Sequence, residues 1–277
     1  MTANADQIEF WNGRAGEHWV VQQTAMDRNM RGIHDAILAF AAPASGETVT
    51  DIGCGAGTTT LAIADAVGTG GKVTGVDISV PMLGLAKERA KAAGKAIDFI
   101  NADASAYPFR TKSDLVFSRF GVMFFDSPPA AFANIHTALK PSGRIAFVCW
   151  RTPQENAWAF APMMAARPFL PPQPPPDPLA PGPFAFADPD RIKMILTEAG
   201  FRAVKVEKLD SVMNLGPSLD GAVDMMMTMG PLSRALNEAD DATRAKIRPA
   251  VRAALEPYVT ADGVQPPAGC WLAGAKA

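Results

Sequence analysis

The chain has 277 residues, 48% of them hydrophobic and 19% charged, the balance of an ordinary folded globule with a sizeable core. A formal net charge of -2 excludes a general electrostatic attraction to nucleic acid or anionic membrane. Three cysteines, Cys54, Cys149 and Cys270, stand far apart without metal-ligand spacing and point to free thiols in a reducing compartment.

The N-terminus is polar and lacks a signal-peptide core, and no apolar run is long enough to span a bilayer. A cytoplasmic protein is expected. Residues 6–42 read as an amphipathic helical cap, with Trp11, Trp19, Met26, Met30, Ile33, Ile37 and Leu38 at helical spacing. His18 lies in this cap between two tryptophans.

The next segment is the most informative. Val49, Thr50, Asp51 and Ile52 favour a strand, and Gly53, Gly55 and Gly57 follow at once. A helical pattern then runs over Thr58–Val67. Alternate glycines let a ligand lie on bare backbone, and the helix beyond offers free N–H groups and a positive dipole end. This is a nucleotide-type pocket at the first turn of an α/β sheet. A dinucleotide fingerprint is excluded, because Thr58 stands where its third glycine belongs. No Gly-Lys-Ser/Thr follows, so a P-loop is excluded as well.

Further strands follow in β-α alternation. Residues 72–79 form a second, ending at Asp77, which lies 20 residues after Gly57 where a ribose-binding carboxylate belongs. Residues 80–92 read as a helix after it. Residues 97–104 form a third strand with Asp103 near its end. Residues 114–118 form a fourth, followed by Arg119 at the edge where ligands bind. A helix over residues 129–139 and a turn at Pro141, Ser142 and Gly143 lead to a fifth strand, residues 145–150.

Beyond residue 151 the pattern changes. Nine of the 24 prolines fall in residues 168–183, and proline neither continues a helix nor donates to a ladder; a rigid surface loop over the site is expected. Asp188 caps a helix that Gly200 ends. Residues 204–209 resemble a sixth strand, and residues 269–275 a last one. Between them, residues 219–258 read as a methionine-rich helical insertion.

The acid before G-x-G-x-G and the later strand-end acids, in this order and at this spacing, resemble the class I S-adenosylmethionine-dependent methyltransferases. The likeness covers roughly residues 47–151. Residues 118–150 also look like the quinone-biosynthesis branch, ubiquinone/menaquinone type. The resemblance implies an α/β, Rossmann-like sheet of order 3-2-1-4-5-7-6, with N-terminal helices and a helical lid inserted before the last strand. The chain then divides into a cap (1–46), a cofactor-binding core (47–151), a Pro-rich loop (152–187) and the rest of the core with the lid (188–277).

The resemblance also implies site roles. The cofactor would be S-adenosylmethionine. Its amino-acid end would lie over Gly53, Gly55 and Gly57 with Asp51 near the ammonium. Asp77 would hold the ribose diol, and Ile78 and Met82 the adenine faces. Asp103 and Ala104 would read the adenine edge, with Ser118 nearby. Trp11, Trp19, Phe120, Phe124, Trp150, Trp158, Met225, Met226 and Met229 are the expected acceptor pocket. Methionine surfaces adapt to varied apolar shapes, which favours a lipophilic or aromatic small molecule over protein or nucleic acid. Candidate catalytic residues are His18 and Arg119, neither singled out by a motif, and no metal is expected. Two readings stay open beside transfer: a non-catalytic protein that binds the cofactor or a nucleoside, and, for assembly, a homodimer.

Overall fold

Three helices precede the sheet in the computed structural model, which describes residues 4–172, 177–237 and 239–277. They are α1 (Ala5–Asn12), α2 (Arg14–Asn29) and α3 (Arg31–Ala41). The single amphipathic stretch expected from periodicity is thus broken twice. Gly13 breaks it first, with an extended backbone, and Met30 breaks it again. Only α3 buries a strong apolar stripe, Ile33, Ile37 and Ala41, against the sheet.

The alternation that follows is β1 (Thr48–Ile52), α4 (Thr58–Val67), β2 (Lys72–Asp77), α5 (Val80–Ala92), β3 (Asp98–Asn101), β4 (Ser113–Arg119), α6 (Pro128–His136) and β5 (Leu139–Trp150). After α7 (Ala157–Ala166) and α8 (Pro189–Glu198) come β6 (Arg202–Val212), α9 (Leu219–Thr228), α10 (Gly230–Ala235) and α11 (Asp241–Leu255). A two-residue hairpin, β7 (Val259–Thr260) and β8 (Gly263–Val264), precedes β9 (Pro267–Lys276). The large sheet has the order β3-β2-β1-β4-β5-β9-β6. Its first five strands are parallel, and β9 runs antiparallel to both β5 and β6. With β9 as the seventh strand of this sheet, this is the order the sequence implies. Central strands read as unbroken apolar runs because helices cover both faces. The edge strand β6 alternates instead.

One expected turn is absorbed into a strand. Leu139 already pairs with Ser113, while the next matched pair is Leu115 with Arg144. Pro141, Ser142 and Gly143 therefore form an irregularity inside β5 rather than its approach. Lys140 fastens it by a 2.8 Å contact with Asp114 across the pair. The Pro-rich segment is only partly described: residues 173–176 lie outside the described residues, and those on either side are irregular.

The helical insertion between β6 and β9 exists as α9, α10 and α11. Ile247, Val251 and Leu255 give α11 one buried stripe, which packs on α7 and α9. Ion pairs Arg248–Asp224 and Arg252–Asp220 link α11 to α9 on the exposed side; such exposed pairs contribute little.

A close backbone approach at the end of β1 sets a testable contrast. Gly53 has φ +66°, and a Cβ built there would meet the Cα of Gly121 at 2.6 Å. Gly84, exposed inside α5, would meet nothing within 4 Å. Gly53→Ala should cost more than about 2 kcal/mol, combining the left-handed backbone penalty with backbone overlap. Gly84→Ala should stabilise by roughly 0.5–1 kcal/mol. Urea unfolding of the two variants measures both signs.

Candidate functional site

The glycine loop is built from both of its ends. At its start, Gly53 and Cys54 donate their backbone N–H groups to the Val76 carbonyl at 2.8 and 3.2 Å. At its end, Gly57 takes a left-handed conformation as the N-cap of α4. Its middle is held by Asp77, whose Oδ2 accepts from the Gly55 N–H at 2.8 Å. The other oxygen of Asp77 accepts from the Ser79 N–H at 2.8 Å. Each carboxylate oxygen keeps lone-pair capacity on the cavity side. Burial raises the Asp77 pKa, and these backbone donors hold the rise back.

Asp51 does a different job from the one expected. It is fully buried, and its Oδ2 accepts from the Thr59 and Thr60 hydroxyls at 2.7 Å each. Asp51, Gly57 and Ser118 do not line the cavity; they stand behind its wall. Asp51 clamps β1 to the first turn of α4. The Ser118 hydroxyl donates to the Ile52 carbonyl at 2.7 Å and accepts from the Gly121 N–H at 3.2 Å, joining the ends of β1 and β4. A strand-end acid and a strand serine look alike in sequence whether they face a ligand or the helix behind it.

The remaining expected residues meet around one cavity of about 1260 Å³ at the carboxyl ends of the parallel strands. Its polar part contains Gly53, Gly55, Asp77, Ile78, Met82, Asp103 and Ala104. Its apolar part contains Trp11, Trp19, Phe120, Phe124, Trp150, Trp158, Met225, Met226 and Met229. Phe120 stacks on Trp150 with ring centroids 4.1 Å apart, and Trp158 leans on Trp150 at 4.9 Å. Across from them Trp11 meets Trp19 and Phe124 edge to face at 5.9 and 5.7 Å. The methionines come from α9 and the turn after it, so the insertion does lie at the carboxyl edge. His18 and Arg119 line the same cavity, and neither is ion-paired among the described residues. His136 lies elsewhere, edge-on to Phe201.

Sequence reasoning missed the residues that hold α1 and α2 over this cavity. Asp27 of α2 forms a half-buried ion pair with Arg89 of α5 at 2.9 Å. It also accepts from Thr58 Oγ1 at 2.6 Å and from Gln23 Nε2 at 2.8 Å, and Arg89 donates onward to the Ala56 carbonyl. One end of α1 is tied by Asn12, which donates to the Ile78 carbonyl and accepts from the Val80 N–H, both at 2.9 Å. At the other end, Asn4 Nδ2 reaches both oxygens of Asp103 at 3.0 and 2.9 Å. These partners are separated by roughly 30 to 100 residues, and no local pattern announces them.

A methyltransferase-domain family profile matches residues 49–143. The chain is 30% identical over 185 residues to a demethylmenaquinone methyltransferase of Staphylococcus haemolyticus, covering 62% of this chain and 76% of that protein. It is 36% identical over 133 residues to the aklanonic acid methyltransferase DauC of a Streptomyces species, covering 47% of this chain and 56% of the relative. In fold it is similar to the YcgJ protein of a Bacillus, with TM-score 0.58 and 17% identity over 89% of this chain and 98% of that one. It is likewise similar to phosphoethanolamine N-methyltransferase 2 of Haemonchus contortus, solved with S-adenosyl-L-methionine. There the TM-score is 0.59 and identity 20%, over 97% of this chain and 59% of that one.

The clamp at Asp51 carries a pH signature. Burial pushes its carboxyl up to about 6, against the pull of the two threonine hydroxyls and of Arg119. A folded pKa above the ordinary 3.8 means that the clamp favours folding most below pH 4. That contribution is lost as pH rises through 6. Asp51→Asn, always neutral, should therefore gain on the wild type by up to roughly 3 kcal/mol between pH 4 and pH 7. Urea midpoints measured across that window would run parallel if Asp51 were not protonated at the acid end.

Proposed function

The chain belongs to the class I S-adenosylmethionine-dependent methyltransferases, and from that premise we propose that it methylates a lipophilic or aromatic small molecule. The observation that carries this reading is the cavity itself. Its volume of about 1260 Å³ exceeds the ~300–1,000 Å³ typical of a single-ligand pocket, and its two parts differ in chemistry. One is polar and backbone-lined; the other is walled by four tryptophans, two phenylalanines and methionines. The names of the two relatives, demethylmenaquinone and aklanonic acid methyltransferase, support an acceptor of the quinone-like, ring-bearing kind.

The polar part suits the cofactor on its own terms. Gly53 and Gly55 line the cavity, and Gly121 and Met82 fill the space their side chains would take, so the loop offers its backbone to an amino-acid end. Asp77 has acceptor capacity left on both oxygens after its bonds to Gly55 and Ser79, which fits a ribose diol. Ile78 and Met82 offer apolar surface for the adenine, and Asp103 with the Ala104 N–H a polar edge. Asp103 already accepts from Asn4, so the first residues of the chain take part in closing this end. Asp51, Gly57 and Ser118 shape the loop from behind.

When bound, the cofactor supplies a methyl group on positive sulfur, which the acceptor's lone pair takes in line as the carbon–sulfur electron pair returns to sulfur. The protein's share is placement and exclusion of water, and placement alone can be worth up to roughly 7–11 kcal/mol. The Phe120–Trp150–Trp158 stack and the Trp11–Trp19 pair hold a flat acceptor, while Met225, Met226 and Met229 close over it. A protonated acceptor needs a base. His18 is the one we propose: it lines the cavity, and its Nε2 has no hydrogen-bond partner among the described residues.

Two measurements test this. Transfer of a labelled methyl group to a panel of phenols, quinols and aryl acids should find an acceptor; cofactor binding without any turnover would favour the non-catalytic alternative. In that assay His18→Asn should lower kcat at least tenfold for a hydroxyl acceptor and leave cofactor affinity unchanged. Asp77→Ala should weaken S-adenosylhomocysteine binding by roughly tenfold to a hundredfold, since hydrogen bonds to a charged group contribute about 1.5–3 kcal/mol. An unchanged dissociation constant in a folded Asp77→Ala protein would remove the ribose assignment.

A further inference from the structure

Of the arginines that line the cavity, Arg119 is the one with a guanidinium nitrogen sealed from solvent and unpartnered among the described residues. Arg119 ends β4, lines the cavity and makes no hydrogen bond or ion pair among the described residues. Its Nη1 is sealed from solvent without a partner. Burial lowers its pKa from the ordinary value, and Asp27 and Asp51 are the carboxylates that oppose this. Neither bonds to it: Asp27 is committed to Arg89, Thr58 and Gln23, and Asp51 holds Thr59 and Thr60 through Oδ2 while its Oδ1 stays buried and unpartnered. Arg89, Arg144 and Arg151, also partly or fully buried, each pair with a carboxylate, which Arg119 does not. A half-buried guanidinium with one nitrogen sealed from water and no hydrogen-bond partner is costly unless a ligand completes it.

Its position selects the ligand group. In the sheet the strands follow one another as β3, β2, β1 and β4. Asp103 lies just past β3, Asp77 ends β2, and the glycine loop follows β1. Arg119 ends β4, the next step in the same direction. That row spans three strand spacings, about 14 Å. The backbone two residues beyond Arg119 is pressed against the loop, since Gly121 Cα is what a side chain at Gly53 would strike. A nucleoside laid with its base at Asp103 and its ribose at Asp77 carries its far end across the glycine loop toward Arg119. The aromatic part of the cavity, by contrast, begins at Phe120 and Trp150 on the other side of that backbone turn, where Phe120 takes a left-handed φ of 63°.

We propose that Arg119 binds the carboxylate of the cofactor's amino-acid end, rather than orienting the methyl acceptor. The assignment rests on the cofactor lying across the glycine loop as argued above. A guanidinium matches a carboxylate by two parallel hydrogen bonds, a geometry a lysine does not reproduce. The ligand then supplies the counter-charge the fold omits.

Two commercial probes separate this role from its rivals. S-adenosylhomocysteine carries the amino-acid end; 5′-methylthioadenosine has the same base and ribose without it. By calorimetry, Arg119→Met should weaken S-adenosylhomocysteine binding by roughly tenfold to a hundredfold and leave methylthioadenosine within twofold. Arg119→Lys should fall between Met and wild type. If Arg119→Met fails to fold, Arg119→Gln gives the same comparison. Equal loss for both probes would mean that Arg119 only supports the fold. No loss for either, with a raised KM for the acceptor, would assign it to the acceptor; both results overturn the proposal. A wild type that binds neither probe would instead overturn the cofactor's place on the loop, which is a different failure.

Discussion

The contact of Gly53 against Gly121 governs the rest of the site. Two backbone segments meet where any side chain on Gly53 would fall 2.6 Å from the Gly121 Cα. The Ser118 hydroxyl, bonded to both segments, locks the approach. From this contact the loop after β1 turns one way to face Asp77, and the chain after β4 turns the other. The turn after β4 needs a left-handed Phe120, a conformation costly for an aromatic residue. It puts the Phe120 ring flat on Trp150 and leaves Arg119 at the cavity wall. A polar ligand surface and an aromatic one are thereby set on either side of one rigid seam.

The cap over the cavity depends on a second, more labile set of interactions. Helix α1 buries no residue fully, and its apolar anchorage is the edge-to-face contacts of Trp11 with Trp19 and Phe124. Its ends are tied by amide side chains, Asn4 to Asp103 and Asn12 to the chain around Ile78 and Val80. Helix α2 is held more firmly through Asp27, whose partners reach α4 and α5 at once. The Asn12 bonds to backbone contribute about 0.5–1.5 kcal/mol each, and those of Asn4 to the Asp103 carboxylate about 1.5–3 kcal/mol at most. That is weak enough to exchange with a ligand that offers the same groups. The sheet side of the cavity is thus fixed by backbone contacts, and the cap side by side-chain hydrogen bonds.

The parts of this architecture that were legible in sequence are those that local chemistry writes locally. Alternate glycines after a β-favouring run gave away the loop, acids at strand ends marked the ligand edge, and unbroken apolar runs marked strands covered on both faces. The insertion declared itself by arithmetic, as helical residues between two strands that a hairpin would have joined. What could not be read was direction. Asp51 and Asp77 both end strands before a turn, yet one faces the helix behind and the other the cavity. Gly13 and Met30 interrupt a helical period that composition alone continues. Asn4, Asn12, Asp27 and Arg89 act through partners far along the chain, where a polar residue on a helix looks like a solvated face.

Charge gives the site its internal logic. Apart from the mutually neutralised Asp27–Arg89 pair, three charge-bearing groups flank the glycine loop: Asp51 behind it, Asp77 beside it and Arg119 beyond it. With Asp51 and Asp77 ionised and Arg119 protonated, they sum to one negative charge. Each is strained in isolation. Burial raises both acids and lowers the arginine, so the protein alone favours fewer charges here than a complex would hold. On the reading proposed above, the incoming molecule carries a sulfonium, an ammonium and a carboxylate, a sum of one positive charge. Its carboxylate would meet the cation, and its positive groups would lie near Asp77, with Asp51 behind the loop. Binding then favours the ionised form of every one of the three groups, because opposite charges nearby stabilise it. On that reading, a site that is electrostatically incomplete in itself and a ligand of opposite charge pattern are two halves of one recognition device. It accounts for why this fold leaves an arginine without a partner at the end of β4.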